Sequence, residues 1–383
     1  MHGPSCPTLL SSVSQHHIVY EIAHELGFDL CGIAPLAPPP DADRFQAWLQ
    51  KGYHGSMDWL QRDAERIADP RKVLKHERGS IVVLGMAHSR AAIELPGGGR
   101  VARYAAGRDY HNVVGHKLRK FTNRLARAGI SGPQRRIVDA GPLLERSHAA
   151  KGGIGFASKA ANLLHPRFGP WFFLSEMVLS HELEPTDSVV PGSCGTCTAC
   201  LDACPTQAIV APGQVDARRC ISYQTIETAG PIDPDLRQQL GPWAFGCDVC
   251  SEVCPWGHRA PDLSARFGRH KATAELGLVE WLEVGEAFAA EFDSSPVDRP
   301  GREGVARNAA VALGNVPSER GRAALLKALS FDPSSVVREA AAWSLAQAHG
   351  ADQGVRPALE RAAAVETDPQ MRAAILAWRD RCP

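Results

Sequence analysis

The centre of this 383-residue chain reads Cys194-Gly-Thr-Cys197-Thr-Ala-Cys200-Leu-Asp-Ala-Cys204-Pro205 and, further on, Cys247-Asp-Val-Cys250-Ser-Glu-Val-Cys254-Pro255. Together with Cys220, which lies between the two runs, these segments hold eight of the eleven cysteines. Cysteines that recur at such short intervals bring several thiolates to one point, which is the arrangement that a metal centre needs. The central part of the chain is therefore expected to fold around bound metal.

The first run has the C-x2-C-x2-C-x3-C-P spacing of bacterial two-cluster ferredoxins, in which three thiolates hold one 4Fe-4S cluster and the fourth reaches the other. The second run supplies three cysteines, so four ligands for each cluster require one more, and Cys220 is the cysteine left between the runs. This count predicts a crossed assignment. One cluster takes Cys194, Cys197, Cys200 and Cys254, and the other takes Cys204, Cys220, Cys247 and Cys250.

A disulfide framework and paired zinc sites are the alternative uses of these eight cysteines. A chain of this length without a secretory signal has little need of disulfides. Zinc sites rarely combine eight thiolates with a proline after the last cysteine of each run. Both alternatives explain the spacing less well than two clusters do. Cys6, Cys31 and Cys382 stand alone and are expected to be ordinary residues.

Length and composition indicate two or three domains with buried cores, since 44% of the residues are hydrophobic. Lys and Arg together number 42, as do Asp and Glu, so the net charge by itself indicates neither a nucleic-acid nor a membrane partner. No uninterrupted apolar stretch approaches the length of a membrane span, and the first fifteen residues lack the pattern of a secretory signal. Oxygen-sensitive clusters and many thiols then favour the reducing cytoplasm.

Residues 1–185 are predicted to form a mixed α/β or α+β domain after a loose leader of about a dozen residues. The hydrophobic pattern indicates a helix over His16 to Leu26 and strands over Phe28 to Ile33, Ile81 to Met86 and Arg135 to Val138. No Gly-x-Gly-x-x-Gly motif follows a strand, and no phosphate-loop motif occurs. The common nicotinamide, flavin and ATP sites are therefore unsupported.

Three stretches of this domain are candidates for chemistry. The segment from Arg103 to His111 is rich in donors and aromatic rings, although such a pattern is more often a solvated loop. Asp139 follows a strand and precedes a Gly-Pro turn, where an acid is usually a cap or turn former. The functional alternative for Asp139 is a proton donor whose pKa is raised by partial burial. Gly152 to Lys159 is a glycine-rich turn that would let the backbone approach a large planar ligand.

The rest of the chain divides into a ferredoxin-like domain over residues 186–262 and a helical tail over residues 263–383. Three tail segments share an arginine followed by small and apolar residues at helical spacing, and they centre on Arg307, Arg338 and Arg372. This recurrence predicts HEAT-like helical repeats. The tail is either a scaffold or a concave face for a macromolecule, with Arg302, Arg307 and Arg320 available for phosphates.

The combination of these features resembles epoxyqueuosine reductase, a family of cobalamin and iron-sulfur enzymes of tRNA queuosine synthesis. The resemblance extends over nearly the whole chain. It rests on Gly52-Tyr-His-Gly-Ser-Met57, Arg103-Tyr104 with Gly107-Arg-Asp-Tyr-His111, Val138-Asp139-Ala-Gly-Pro142, Cys220-Ile-Ser222-Tyr-Gln-Thr225-Ile-Glu227 and Arg307-Asn308.

The resemblance implies that the amino-terminal domain binds cobalamin base-off and that electrons pass from cluster to cluster to cobalt. The reduced cofactor would then support removal of the epoxide oxygen from epoxyqueuosine in a tRNA anticodon loop, which gives queuosine and water. Asp139 matches the proton donor of the family. The residues that match the corrin wall are Arg103, Asp139, Lys159, Ser222, Thr225, Cys247 and Asp248.

By the same resemblance, the tail would contact tRNA through Arg302, Arg307 and Asn308, and the modified base would be extruded into the pocket. An external electron donor is implied, with no membrane partner and a monomeric state. The chain departs from the family where the usual Gly-Trp-Ile-Gly-Lys-Asn is replaced by Gly155-Phe-Ala-Ser-Lys159-Ala160. This departure is compatible with a diverged member of the family that acts on an altered substrate. A reductive-dehalogenase-like enzyme acting on a small molecule and a two-cluster electron carrier are the alternative functions.

Overall fold

The computed structural model describes residues 14–187, 189–263 and 266–383, so the expected leader and Cys6 lie outside the described residues. Its strands are β1 Leu30–Pro35, β2 Ser80–Ala87, β3 Ile93–Glu94, β4 Arg100–Val101, β5 Gln134–Ile137, β6 Phe156–Ala157, β7 Leu163–Leu164, β8 Phe172–Leu179, β9 Ile209–Ala211, β10 Gln214–Val215 and β11 Trp243–Phe245. Its α-helices are α1 Gln15–Glu25, α2 Ala42–Gln50, α3 Asp58–Arg62, α4 Ala64–Ala68, α5 Arg71–Leu74, α6 Tyr110–Arg127, α7 Glu145–Lys151, α8 Ala199–Ala203, α9 Ile221–Ile226, α10 Pro234–Arg237, α11 Val249–Glu252, α12 Lys271–Ala274, α13 Leu278–Leu282, α14 Phe288–Phe292, α15 Gly301–Asn315, α16 Glu319–Phe331, α17 Ser335–His349, α18 Val355–Val365 and α19 Pro369–Arg379.

A four-stranded antiparallel sheet in the order β1-β2-β8-β5 forms the centre of the amino-terminal part. Every residue of β2 is buried, which follows from its apolar run Ile81-Val-Val-Leu84 and from its position between two neighbouring strands. The sheet therefore has α+β character, one of the two architectures predicted. The predicted strands at Ile81 and Arg135 are confirmed, whereas β1 begins two residues later than predicted and continues to Pro35, which pairs with Ser80.

Helices cover both faces of this sheet. On one face, α1 and α6 pack against side chains such as Val82 and Met177. Helix α6 is long enough to do so because its apolar residues recur at helical intervals, including Val114, Leu118 and Phe121. On the other face, α7 packs against Val83, Val178 and their neighbours. The end of β5 and the start of α7 therefore bring the Asp139 loop to one end of a three-layer unit.

The cysteine-bearing part is joined to this unit by more than the chain connection. Strand β4 pairs in parallel with β11, which immediately precedes Cys247, and pairs antiparallel with β3 on its other side. The short helices α8 and α11, which carry the two cysteine runs, pack against each other. Arg103 follows β4 and is thereby held beside the second run.

The tail stacks its helices α13, α15, α17 and α19 in succession, while α16 and α18 pack outside as the second members of helical hairpins. One apolar core extends from Ile221 and Trp243 of the cysteine-bearing part through Trp281 to Trp378. A buried ion pair between Arg237 and Glu339 lies inside this core. No helix in residues 14–187, 189–263 or 266–383 has the length and apolar character needed to cross a bilayer.

Candidate active site

The first set of thiols surrounds one cavity. Its lining includes Cys194, Cys197, Cys200 and Cys254, together with Cys250 from the second run. Burial raises the pKa of Cys200, and the neighbouring thiols of Cys194 and Cys254 raise it further. The set is the one that the crossed assignment predicts for the first cluster. Because Cys250 reaches the same cavity wall, the two sets of thiols are adjacent.

The second set of thiols lies around the start of α9. Burial raises the pKa of Cys220, and the Cys204 thiol raises it further. The pKa of Cys247 is likewise raised by burial and by the nearby thiols of Cys250 and Cys220. The seven cysteines of the two runs and Cys220 are all free thiols, so the disulfide alternative is not adopted. Their roles as cluster ligands stay a prediction.

The loop between β6 and β7 contacts both sets of thiols. The Lys159 backbone N–H points to Sγ of Cys194 at 3.4 Å, and its Nζ donates to the carbonyl oxygens of Gly195 and Cys197 over 2.8 and 2.9 Å. The Asn162 amide reaches Sγ of Cys250 at 3.8 Å. Lys159 therefore belongs to the first cysteine run in this structure. Sequence reasoning missed Asn162, which follows two residues after the position where the family usually has asparagine.

Arg103 and Asp248 form a buried pair beside Cys247. The Arg103 backbone N–H and Nη1 both donate to Oδ2 of Asp248, over 2.8 and 2.9 Å, and Nη1 also reaches Glu252 at 2.6 Å. Both side chains of the pair are more than nine-tenths buried. Burial raises the pKa of Asp248 although Arg103 opposes the shift. These bonds tie the backbone at Arg103 to the Asp248 side chain, directly beside Cys247.

Ser222 and Thr225 reach the same region from α9. The Ser222 side chain contacts the Cys220 thiol. The Thr225 hydroxyl donates to the carbonyl oxygen of Ile221 over 2.8 Å and accepts the N–H of Gly246 over 2.9 Å. Thr225 is fully buried. The structure thus brings Arg103, Ser222, Thr225, Cys247 and Asp248 together, whereas Lys159 lies at the first cysteine run. Their contact with a corrin stays a prediction.

Asp139 is presented on a backbone turn that non-glycine residues rarely adopt, with φ at 59°. Its side chain is 59% exposed. Tyr110 donates its hydroxyl to Oδ2 of Asp139 over 2.6 Å, and His111 Nε2 lies 3.5 Å from the same oxygen. Asp139 is therefore a directed, accessible carboxyl group rather than a helix cap, since its side chain caps no helix.

The pKa of Asp139 corrects one expectation from the sequence. Burial raises it, but the hydrogen bonds from His111 and Tyr110 and the charges of His111 and Arg146 lower it by more. The net pKa lies below the ordinary value of an aspartate, whereas the sequence alternative assumed a raised pKa. The reason is that two donors converge on one carboxyl oxygen.

Two buried glutamates lie behind the Asp139 loop. Glu145 of α7 and Glu176 of β8 lie beside each other, and burial raises the pKa of both, that of Glu145 to about 8. Neither carboxyl oxygen of Glu176 has a hydrogen-bond partner among the described residues. The charge of Asp139 raises the pKa of Glu145 further, so the Glu145 carboxyl group lies close to the Asp139 loop. The sequence carried a signal for Glu176, since a lone acid occupies the apolar strand Phe172–Leu179.

Tyr104 connects Asp139 with the cysteine-bearing part. Burial raises the pKa of Tyr104, and the charges of Asp139 and Asp248 raise it further, which places the ring near both carboxyl groups. Its ring packs against Tyr110 and Phe245 with centroids 6.0 and 6.2 Å away. The catalytic candidate and the Arg103–Asp248 pair therefore border one site.

Two of the predicted tRNA contacts are corrected by the structure. Arg307 and Asn308 are each 1% exposed. Arg307 donates to the carbonyl oxygens of Gln224, Thr228 and Gly230, and Asn308 donates to that of Thr225. Their polar groups are thus used inside the protein, where a tRNA cannot reach them.

The other tail arginines are nearer the surface. Arg302 is partly exposed and forms a bidentate pair with Asp332 over 2.8 and 2.9 Å. Arg320 is 68% exposed and pairs with Glu280. Contact of either with tRNA stays a prediction.

Three family models match the chain. A "4Fe-4S double cluster binding domain" matches residues 193–257, an "Epoxyqueuosine reductase QueG, DUF1730" model matches residues 68–140, and HEAT repeats match residues 300–378. The predicted double-cluster domain and HEAT-like tail are thereby confirmed. The epoxyqueuosine reductase of Xanthomonas campestris pv. campestris is 40% identical over 344 residues, which cover 86% of this chain and 94% of the relative. The chain belongs to the epoxyqueuosine reductase family.

Other members of the epoxyqueuosine reductase family give the same result. The Escherichia coli K12 enzyme is 37% identical over 84% of this chain and 86% of its own length. A crystal structure of an epoxyqueuosine reductase with an epoxyqueuosine-modified tRNA-Tyr stem loop superposes with a TM-score of 0.87, at 28% identity, over 96% of this chain and 98% of that one. The Bacillus subtilis enzyme, solved with its catalytic aspartate loop swung out of the active site, superposes with a TM-score of 0.84, at 28% identity, over 96% and 99%. The protein is thus an oxidoreductase of this family.

Proposed function

We propose that this protein reduces epoxyqueuosine to queuosine in the anticodon loop of a tRNA. The epoxide oxygen leaves as water, so the reaction takes up two electrons and two protons for each oxygen removed. The observation that carries the proposal is the accessible Asp139 carboxyl group, held by Tyr110 and His111 at a site that also borders Cys247 and Asp248. Proton delivery and electron delivery would therefore meet in one place.

The cysteine sets suit two 4Fe-4S clusters, because each contributes four free thiols: one set lines a single cavity, and the members of the other set are neighbours. A further cofactor would be placed between Asp139 and Cys247. Tyr104 borders this position, since the charges of both Asp139 and Asp248 act on its hydroxyl. Cobalamin, when bound there base-off, would supply reduced cobalt for electron transfer to the epoxide. It would be held by Ser222 and the backbone of Cys247 and Asp248. Arg103 and Thr225 are buried and would act through their bonds to Asp248 and to the Gly246 N–H.

Asp139 would act as the acid in this site. Breaking the epoxide C–O bond leaves negative charge on the oxygen, and a proton from a nearby carboxyl group neutralises it. Tyr110 and His111 both bind Oδ2, which leaves Oδ1 without a hydrogen bond inside the described residues and free to face the substrate. The two bonds hold the carboxyl group in one orientation, as efficient proton transfer requires.

The partner would be a tRNA whose modified base is extruded into the site. The tail supports this role, since HEAT-like repeats form extended surfaces for macromolecules. Arg302 and Arg320 are the predicted contacts that remain near the surface. An external electron donor would reduce the clusters, and the protein would act as a cytoplasmic monomer.

The test is conversion of epoxyqueuosine to queuosine in tRNA by anaerobically reconstituted protein with added cobalamin, measured by mass spectrometry of the nucleosides. Asp139→Asn should retain the cobalamin absorption spectrum and lose most turnover, by about 100-fold or more. Asp43→Asn, on the exposed face of α2, is the matched control and should remain active. Undiminished turnover in Asp139→Asn would remove the residue from its role, and failure to take up cobalamin would favour a two-cluster electron carrier.

A further inference from the structure

His111 lies between two carboxyl groups. Its Nδ1 is 2.8 Å from Oδ1 of Asp109, and its Nε2 is 3.5 Å from Oδ2 of Asp139. Asp109 is itself fixed, because its side chain caps α6 by accepting the His111 N–H over 2.9 Å. The imidazole also stacks on the Tyr110 ring, with centroids 4.1 Å apart. The ring is therefore held in place on its two edges and on one face.

This geometry fixes the protonation of the ring. A carboxylate only accepts hydrogen bonds, so a nitrogen that faces one is best occupied by an N–H, and both nitrogens of His111 face carboxylates. Burial lowers the pKa of His111, but the bonds to Asp109 and Asp139 and their charges raise it to about 9. At neutral pH His111 is therefore an imidazolium. The charged and titratable groups that also act on this cluster are Arg146, Arg299, Glu145, Glu176, Tyr104 and Asp298.

Asp139 lacks the proton that its role as an acid requires. Its lowered pKa makes it a carboxylate in the resting protein at neutral pH, so it must receive a proton before it gives one. The reaction takes up two protons for each epoxide, and a single carboxyl group cannot supply both without being recharged. The nearest protonated nitrogen to its Oδ2 is the one on His111.

We propose that His111 is the proton source that charges Asp139, with Asp109 as the residue that positions it. The inference rests on the proposed function. The two bonds to Oδ2 hold the carboxylate form of Asp139. A proton that moves from Nε2 of His111 to Oδ2 removes the charge that both donors bind, so the neutral carboxyl group is released to rotate and turn its O–H towards the epoxide oxygen. The two electrons come from the external donor through the clusters. The His111 side chain is 32% exposed, so water can return its proton for the second delivery.

Asp109→Asn separates this role from a structural one. Asparagine caps a helix as well as aspartate does, so α6 keeps its start while His111 loses a negative neighbour. The pKa of His111 should fall in this variant. In wild type, the single-turnover rate of pre-reduced enzyme should decline as pH rises through about 9. In Asp109→Asn this alkaline decline should begin about one pH unit lower or more.

His111→Gln should lower the single-turnover rate at neutral pH by about tenfold or more. The control is His116→Gln, an exposed position of the same helix, which should stay within about twofold of wild type. A second readout needs no turnover. The imidazole of His111, followed by NMR in cluster-loaded protein without cobalamin and assigned from its loss in His111→Gln, should titrate above pH 8 in wild type, as expected for a pKa of about 9.

Two results would overturn the proton-source role while leaving the proposed function intact. One is a His111 imidazole that titrates at or below the ordinary value of about 6.5 in wild type. The other is normal epoxyqueuosine reduction by Asp109→Asn with an unmoved alkaline decline. Wild-type protein that never reduces epoxyqueuosine would instead refute the proposed function, and this role would go with it.

Discussion

Tyr110 and Asp139 are joined by a 2.6 Å hydrogen bond from the phenol to Oδ2 of the carboxyl group. The Tyr110 ring is itself fixed by stacking on Phe173, with centroids 4.3 Å apart and planes 9° from parallel. The donor is therefore rigid, whereas its acceptor sits on a loop with an uncommon backbone conformation. Tyr110 thus determines where the catalytic candidate points.

Tyr110→Phe tests this dependence. The variant keeps the stacked ring but removes the donor, so the pKa of Asp139 should rise towards its ordinary value and the carboxyl group should lose its fixed orientation. A hydrogen bond to a charged group contributes about 1.5–3 kcal/mol, so single-turnover reduction should slow by about tenfold or more. Tyr20→Phe, which removes a hydroxyl that bonds to Thr186 instead, should stay near wild type. Equal rates in the two variants would contradict the positioning role.

The stability of the protein should depend on pH through His111. Its pKa in the folded state, about 9, lies above the ordinary value of about 6.5, so folding favours the protonated form. Its contribution is fully present below the ordinary value and is lost as pH rises through about 9. Asp139 acts oppositely, since its lowered pKa gives a contribution that is lost on acidification. The difference in melting temperature between wild type and His111→Gln should therefore shrink from neutral pH to about pH 10, and a constant difference would contradict the shift.

The reduction potential of a cluster held by Cys250 should depend on Asn162. The amide N–H lies 3.8 Å from Sγ of Cys250, and hydrogen bonds to cluster sulfurs favour the more negative, reduced state. Asn162→Ala should therefore lower the potential of that cluster, measured by electron paramagnetic resonance during a redox titration. Asn123→Ala, on the exposed side of α6, is the matched control. An unchanged or higher potential in Asn162→Ala would show that the amide does not act on the cluster.

The attachment of the tail should depend on Glu339. Its carboxylate accepts two hydrogen bonds from Arg237, over 2.9 and 2.8 Å, and a third from Nε1 of Trp378 over 2.7 Å. Glu339→Ala leaves the Arg237 charge buried without a partner, which costs about 3–5 kcal/mol in the free energy of unfolding. The control is Glu319→Ala, which breaks an exposed pair with Arg322 and should cost at most about 1 kcal/mol. Similar denaturation midpoints for both variants would contradict the assigned role.

The sequence was most informative where spacing along the chain determines contact in space. The cysteine runs and the repeated arginine segments are local patterns, and both led to confirmed domain types. The pairing of His111 with Asp139, the Glu145–Glu176 contact and the bond from Asn162 to Cys250 join residues that are distant in sequence. Such contacts depend on the strand order and on loop paths that periodicity does not encode.

Residue type and motif did not predict which arginines of the tail are exposed. Arg307 and Asn308 match a family motif and carry groups suited to phosphate, yet both are buried against the segment after Cys220. Burial is decided by which helix faces the neighbouring part, and the sequence pattern gave Arg302, Arg307 and Arg320 equal weight. In the structure Arg302 and Arg320 remain near the surface, whereas Arg307 is buried.

The bonds of Arg307 and Asn308 also decide how the tail can be studied. They bind the carbonyl oxygens of Gln224 and Thr225 in α9 and of Thr228 just after it, and α9 directly follows Cys220. A chain shortened after residue 293 would strip these partners from a thiol-bearing segment, so its inactivity would say nothing about tRNA. Any contact of the tail with tRNA has to be mapped with single substitutions at its surface, because the tail shares one apolar core with the cysteine-bearing part and is not a detachable module.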